Sequence, residues 1–362
     1  MSSAHMIRPD RLLATFLELV QIDSPSGEEA AVIQHLASRL QRLGMENEVD
    51  EVGNLIGRLA GEGEPLLLCA HVDHVQPCRG IRPRVENGMI RSDGTTVLGA
   101  DDTSGVAVIL ELLEGMTASE HRPAIEVVFT VREEVGLGGS RALDTTRLRS
   151  HQAIVLDMGG PIGAICVQGP SQNRLHAVVI GRKAHAGVAP EEGINAIQVA
   201  AEAIAAMPIG RIDEETTANI GSIHGGEATN IVPDRVEIRG EARSLDEGKL
   251  ERQTRAMTEA LEQAAARRGA KVELSVTSNY RAYRLGEDAP IVRRLAAACR
   301  ALGVEPFLVP TGGGSDANIF NERGLQTVAF STGMAKVHTT EEEIALSDMV
   351  MCARILTCLV AG

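Results

Sequence analysis

Gly99-Ala100-Asp101-Asp102-Thr103-Ser104-Gly105 is the stretch on which the fold of this 362-residue chain turns. A polar, irregular segment precedes it. A strongly apolar run follows, from Val106-Ala107-Val108-Ile109-Leu110 to Leu113. The change predicts a turn feeding a buried helix, with Asp102 or Thr103 as N-cap. Two adjacent carboxylates repel each other at such a point. The helix dipole offsets ~0.3–1 kcal/mol per carboxylate, and a bound dication would offset far more. An isolated acidic pair reads as a helix cap, so the surrounding chain has to decide.

To either side the chain alternates between strand and helix patterns. Helical spacing runs over 8–21 and 27–43. Short strands follow at 48–52 and 55–59, then the continuous apolar run Leu66-Leu67-Leu68-Cys69-Ala70, the type found inside a parallel sheet. A hairpin turning at Asn87-Gly88 is predicted over 84–94. After the helix from Thr103 come a strand at 124–130, a helix near 138–147, and strands at 153–156 and 162–167. This alternation predicts an α/β fold with a mainly parallel, helix-covered sheet. After Gln168-Gly169-Pro170-Ser171 the order changes to strand 174–183, helix 193–207, strands 217–224 and 235–244, helix 246–268 and strand 271–279. That β-α-β-β-α-β order predicts an inserted ferredoxin-like α+β domain. Helix 289–302, strand 307–309, helix 315–322, strand 327–331 and helix 347–360 return to the first pattern. The expected division is a first domain in two parts, 7–172 and 285–362, with an insert at 173–284.

Composition narrows the function. Hydrophobic residues make up 44% and charged residues 23%, as in ordinary globular proteins. Tryptophan is absent, aromatics are 2% and the net charge is −14, which argues against nucleic-acid partners. No apolar run approaches the ~18 residues of a membrane span. The six cysteines form no CxxC pair, so a reduced, cytoplasmic protein without a disulfide framework is expected. Residues 1–5 read as a leader foreign to the fold, with a native start at Met6.

The polar candidates sit where apolar strands end, and ligands of open α/β sheets bind at carboxyl ends of strands. The Leu66 strand ends in His71-Val72-Asp73, whose first and third side chains share a face. The strand at 125–131 ends in Arg132-Glu133-Glu134-Val135-Gly136, and the one at 154–156 ends in Asp157. A loop after Phe330 carries His338. Two imidazoles with three or four carboxylates at one sheet edge form the inventory of a two-metal site. Nitrogen and oxygen donors without sulfur suit Zn²⁺, with Co²⁺ or Mn²⁺ as substitutes.

In this order His71-Val72-Asp73-His74, Gly99 to Ala107, Glu133-Glu134-Val135-Gly136, the Asp157 strand end and the His338 loop resemble the co-catalytic zinc peptidase family. That family contains peptidase T, glutamate carboxypeptidase, aminoacylase and succinyl-diaminopimelate desuccinylase. Within it the chain most resembles the peptidase-T-like branch, given Gly99-Ala100-Asp101-Asp102, Glu133-Glu134-Val135-Gly136 and the segment Gly312-Gly313-Gly314-Ser315-Asp316-Ala317-Asn318-Ile319-Phe320. The resemblance implies two divalent ions, zinc with cobalt or manganese as substitutes, held by His71, Asp101, Glu134, Asp157 and His338, with Asp101 as bridge and a cis peptide after it. It implies Glu133 as general base, Asp73 as the group orienting His71, and His185 as oxyanion donor from a partner subunit's insert. Asn230, Arg281 (or the nearby Arg284), Gly313 and Gly314 are candidates for holding substrate. The implied activity is hydrolysis of short peptides by a homodimer, in the manner of a tripeptide aminopeptidase. An amidohydrolase or carboxypeptidase-type enzyme acting on N-acyl amino acids uses the same metal motifs, and a non-catalytic binding protein would be expected to lack a ligand or Glu133. No phosphate-binding glycine motif follows the first strands.

Overall fold

The computed structural model describes residues 7–117 and 122–361, so the leader expected at 1–5 lies outside the described residues. The chain forms two bodies. One comprises 1–168, 284–310 and 315–362; the other comprises 169–283 and 311–314. The return of 311–314 to the second body differs from the expected division. Gly314 is the reason: a Cβ there would stand 2.1 Å from the Tyr280 ring.

In the first body the strands run in the order Glu46–Val49, Leu55–Leu59, Pro123–Thr130, Glu62–His71, Gln152–Val155, Gln326–Phe330 and Ala164–Gly169, with Phe307–Pro310 beside the last. The four central strands, Pro123–Thr130 through Gln326–Phe330, are parallel to one another. Antiparallel pairs flank them. Leu66 to His71 are buried on both faces, as a strand covered by helices requires. The register pairs His71 with Thr130 and Cys69 with Val155. This brings the segments after three strands, with His71, Glu133 and Asp157, to one edge.

The helices Pro9–Val20, Ala100–Met116, Pro290–Ala301 and Leu346–Ala361 bury leucine, isoleucine and valine in one core with the sheet. The expected hairpin forms from Arg84–Glu86 and Met89–Arg91, with Asn87 at φ 52° and Gly88 at φ 80°. Glu343–Ala345 adds a third strand to it that the sequence did not suggest. The helix expected over 138–147 is shorter, Gly138–Ala142 followed by a 3₁₀ turn at Thr145–Arg147. Gly139 serves close approach instead of helix length, since a Cβ there would meet Asn54 Oδ1 at 2.3 Å.

The second body is an antiparallel sheet in the order Gly210–Arg211, Thr216–Gly225, Arg235–Ser244, Ser171–Ile180, Lys271–Tyr280. Leu175, Ala177, Val179, Val236 and Ile238 are buried with the helices Ala196–Ala206 and Glu247–Arg268. The opposite face carries Arg174, His176, Glu237 and Arg239, the alternation of a sheet covered on one side.

Candidate metal centre

The Gly99–Gly105 turn is built by three local features. Gly99 adopts φ 74°, and a Cβ there would stand 2.9 Å from Nε2 of the buried His74. The Asp101–Asp102 peptide bond is cis. Asp101 and Asp102 have non-helical backbone angles, and regular helix begins after them. Asp102 Oδ1 accepts from Gly105 N–H at 3.2 Å, the bond of an N-cap. Its Oδ2 accepts from His71 N–H at 3.2 Å. Asp102 therefore links the helix start to the end of the His71 strand.

Asp101 faces the other way. Its Oδ1 lies 3.0 Å from His71 Nε2 and its Oδ2 lies 3.2 Å from His338 Nε2. His338 Nε2 is also 3.0 Å from Glu134 Oε1. Donor atoms of His71, Asp101 and Asp157 lie within 4.8 Å of one another, as do those of Asp101, Glu134 and His338, and of His71, Glu133 and Glu134. His71 Nδ1 is 3.0 Å from the Asp73 carbonyl, so it must donate there. In the neutral imidazole this leaves the Nε2 lone pair directed at a carboxylate, an arrangement that a cation between them would satisfy. On donor chemistry, the residues fit a pair of divalent ions.

The electrostatics are those of crowded carboxylates. Burial, then Asp157, pushes the Glu133 carboxyl well above its ordinary range, and burial, then Asp101, does the same to Asp157. Burial pushes Asp101 up too, but bonds with His338 and His71 outweigh it and hold this carboxyl below its ordinary range. Bonds to Asp101 and then Glu134 raise the His338 pKa to about 10.

Asp73 does more than face His71. Its carboxylate stands 3.6 Å from Nδ1. It accepts from Glu133 N–H at 2.8 Å, Glu134 N–H at 3.2 Å and the Ser26 hydroxyl at 2.7 Å. The shorter contact to the imidazole is the main-chain carbonyl, and the side chain chiefly grips the loop of the two glutamates. Three further buried residues escaped the sequence reading. His74 Nε2 is 2.9 Å from the Thr103 hydroxyl. Asp316 accepts from Thr130 Oγ1 at 2.5 Å. Glu342 accepts from the main chain of the Asp101 turn. Asp316 follows a serine at a helix start and Glu342 stands in an acidic run; only burial separates them from solvated residues.

The remaining candidates lie in the second body. His185 and Asn230 are exposed side chains on adjoining backbone, joined by Ala186 N–H to the Asn230 carbonyl at 3.0 Å. His185 Nδ1 accepts from Gly187 N–H at 3.2 Å, which leaves Nε2 to carry the proton of the neutral ring. Arg281 is exposed. Gly313 N–H donates to Thr311 Oγ1 at 3.1 Å, so one of the backbone donors expected to face a carboxylate is already engaged.

Residues 54–192 match the model of Peptidase family M28 and residues 172–269 that of the Peptidase dimerisation domain. Protein YqjE of Bacillus subtilis (strain 168) is 40% identical over 98% of this chain and 99% of its own length. Aminopeptidase PepT of Bacillus cereus ATCC 10987 has a TM-score of 0.86 at 39% identity, with 98% of each chain covered. A tripeptidase of Staphylococcus aureus subsp. aureus Mu50 has a TM-score of 0.91 at 37% identity, again with 98% of each chain covered. Together with the strand-end cluster of histidines and carboxylates, these likenesses establish that the chain belongs to the peptidase-T-like family of metallopeptidases, enzymes that hydrolyse peptide bonds.

Proposed function

We propose that this chain is a tripeptide aminopeptidase that works with two divalent ions, zinc in preference to cobalt or manganese. One observation carries the reading: Asp101 turns one oxygen toward each of two imidazoles, at 3.0 Å to His71 and 3.2 Å to His338. Asp101 would then be shared, with His71 and Asp157 holding one ion and Glu134 and His338 the other. The donor set of nitrogen and oxygen without sulfur supports zinc. When bound, the two ions polarise the scissile carbonyl and lower the pKa of the attacking water.

The chain's own groups do the rest. Glu133 is buried beside His71 and Glu134. It takes a proton from the attacking water and returns it to the leaving amine. Asp73 holds the Glu133 main chain at 2.8 Å, which keeps the base from swinging away. His185, with its proton on Nε2, supplies the donor for the developing oxyanion. We assign the second body the pairing of two copies, with each copy's His185 serving the other's site. Asn230, Arg281 and the Gly313-Gly314 segment hold the polar ends of the peptide. A cytoplasmic location agrees with the six free cysteines. Among the described residues no helix is long and apolar enough to cross a membrane.

The test is a substrate panel assayed with Zn²⁺, Co²⁺ or Mn²⁺: di- and tripeptides, N-acyl amino acids and C-terminally blocked peptides. Tripeptides with a free amine should lose their first residue, and N-acyl substrates should be inert. Glu133→Gln should lower turnover by ~10²–10⁴-fold with metal content unchanged. Preferential cleavage of N-acyl amino acids would replace the proposal with an amidohydrolase.

A further inference from the structure

The run Thr339-Thr340-Glu341-Glu342-Glu343 contains a carboxylate that the proposed chemistry leaves unused. Glu342 is only 1% exposed. Its Oε2 accepts from Leu98 N–H at 2.7 Å and Gly99 N–H at 2.8 Å, and its Oε1 accepts from Asp101 N–H at 2.9 Å. These donors lie 241 to 244 positions away in sequence. They are the main chain of the turn that presents Asp101. With Gly99 left-handed and Asp101 non-helical, the turn departs from the helix ladder where these N–H groups stand. One carboxyl side chain satisfies all three, using both oxygens.

The neighbouring Glu343 closes a different contact. Its N–H and carbonyl form a two-way bridge with Ala335, at 3.0 and 2.9 Å. Its carboxylate pairs with Lys336 Nζ at 2.9 Å and Arg91 Nε at 2.6 Å. The Ala335–Glu343 bridge is the base of the loop that carries His338, a residue that is itself half-exposed and at φ 64°. Two consecutive residues thus anchor the His338 loop and grip the Asp101 turn. The spacing between those two segments is set at Glu342.

We infer that Glu342 is a positioning residue that fixes Asp101 relative to His338 and so sets the affinity of the ion held by Asp101, Glu134 and His338. The inference rests on the metal reading given above. The ion assigned to His71, Asp101 and Asp157 depends less on Glu342, because His71 and Asp157 hang on strands paired through their own ladders.

Glu342→Gln keeps the size but offers one acceptor oxygen for three donors, so at least one N–H meets an amide NH₂. Glu342→Asp keeps both oxygens on a shorter stem. Glu126→Gln is the comparison: Glu126 is equally buried and accepts from Arg149 N–H, Ser150 N–H and the Ser150 hydroxyl, outside every donor cluster. Each full-length variant, freed of metal, is titrated with Zn²⁺ against a chromogenic chelator, and its urea midpoint is measured alongside. Wild type should take up two ions. Glu342→Gln should weaken the ion at Asp101, Glu134 and His338 by ~10–100-fold and the other ion by distinctly less. Glu342→Asp should fall between them, and it decides the matter if the glutamine variant does not fold. Glu126→Gln should lose stability and keep both ions at wild-type affinity. Wild-type affinity for both ions in the Glu342 variants, or equal weakening of both, would overturn the positioning role. Failure of wild type to take up two ions would overturn the metal reading and this inference with it.

Discussion

Stripping the metal should loosen one body of this protein and spare the other. In the first body, six acidic and imidazole side chains of the described residues converge at one sheet edge, several of them buried. An ion bound only by the folded state stabilises it by ~2.7 kcal/mol when present at a hundredfold its dissociation constant. Two such ions contribute about 5 kcal/mol, which corresponds to a change of about 10⁴-fold in the opening equilibrium. Among the described residues, every donor cluster of three belongs to the first body, and the second has a separate hydrophobic core. Hydrogen exchange read by mass spectrometry separates the two. After chelation, amides of Glu62–His71, Pro123–Thr130 and Gln152–Val155 should lose protection by several orders of magnitude, while Ser171–Ile180 and Arg235–Ser244 keep theirs. Re-addition of Zn²⁺ should restore the pattern. Unchanged protection in the first three segments, or equal loss in all five, would refute the placement of the ions.

The two aspartates of the turn should behave differently. Asp101→Asn removes the carboxylate facing both imidazoles and should abolish turnover with a deficit of both ions in a metal assay. Asp102→Asn keeps an acceptor for His71 or Gly105 N–H and should cost only ~1–3 kcal/mol in urea titration, with most of its metal retained. Equal metal loss in the two variants would make them a simple acidic pair. Gly99→Ala forces a side chain into φ 74° and against the buried His74 ring, so stability should fall by ~2 kcal/mol or more. An unshifted urea midpoint would contradict the close packing of Gly99 on His74.

Much of this fold was legible because burial on both faces of a strand leaves an unbroken apolar run. Leu66 to Ala70 announced a central parallel strand, and His71 directly after it marked the sheet edge. The β-α-β-β-α-β order of the second body could be read for a similar reason, since its strands and helices keep separate periods. Glu342 was not legible. It stands between Glu341 and Glu343, and nothing local distinguishes the one buried glutamate from its neighbours; its partners are 241 or more positions away. Asp73 was read through the imidazole beside it, whereas its carboxylate also holds the Ser26 hydroxyl and the backbone N–H groups of a loop 60 positions on. The helix at 138–147 was read too long: it stops at Ala142, and a 3₁₀ turn follows at Thr145–Arg147, where the Asp144 side chain accepts from Thr146 N–H.

The interruption of the first body has a consequence for the order of events during synthesis. The second body is encoded almost continuously by 169–283, whereas the first needs chain from both sides of it. Gln326–Phe330 lies inside the first sheet, between Gln152–Val155 and Ala164–Gly169. Domains fold as units while the chain emerges. The insert can therefore complete its core early, while the strands bearing His71 and Asp157 wait for a neighbour not yet made. His338 and Glu342 arrive later still. The growing polypeptide thus lacks one side of the proposed metal centre until residues 338–342 have left the ribosome, long after the insert has been made.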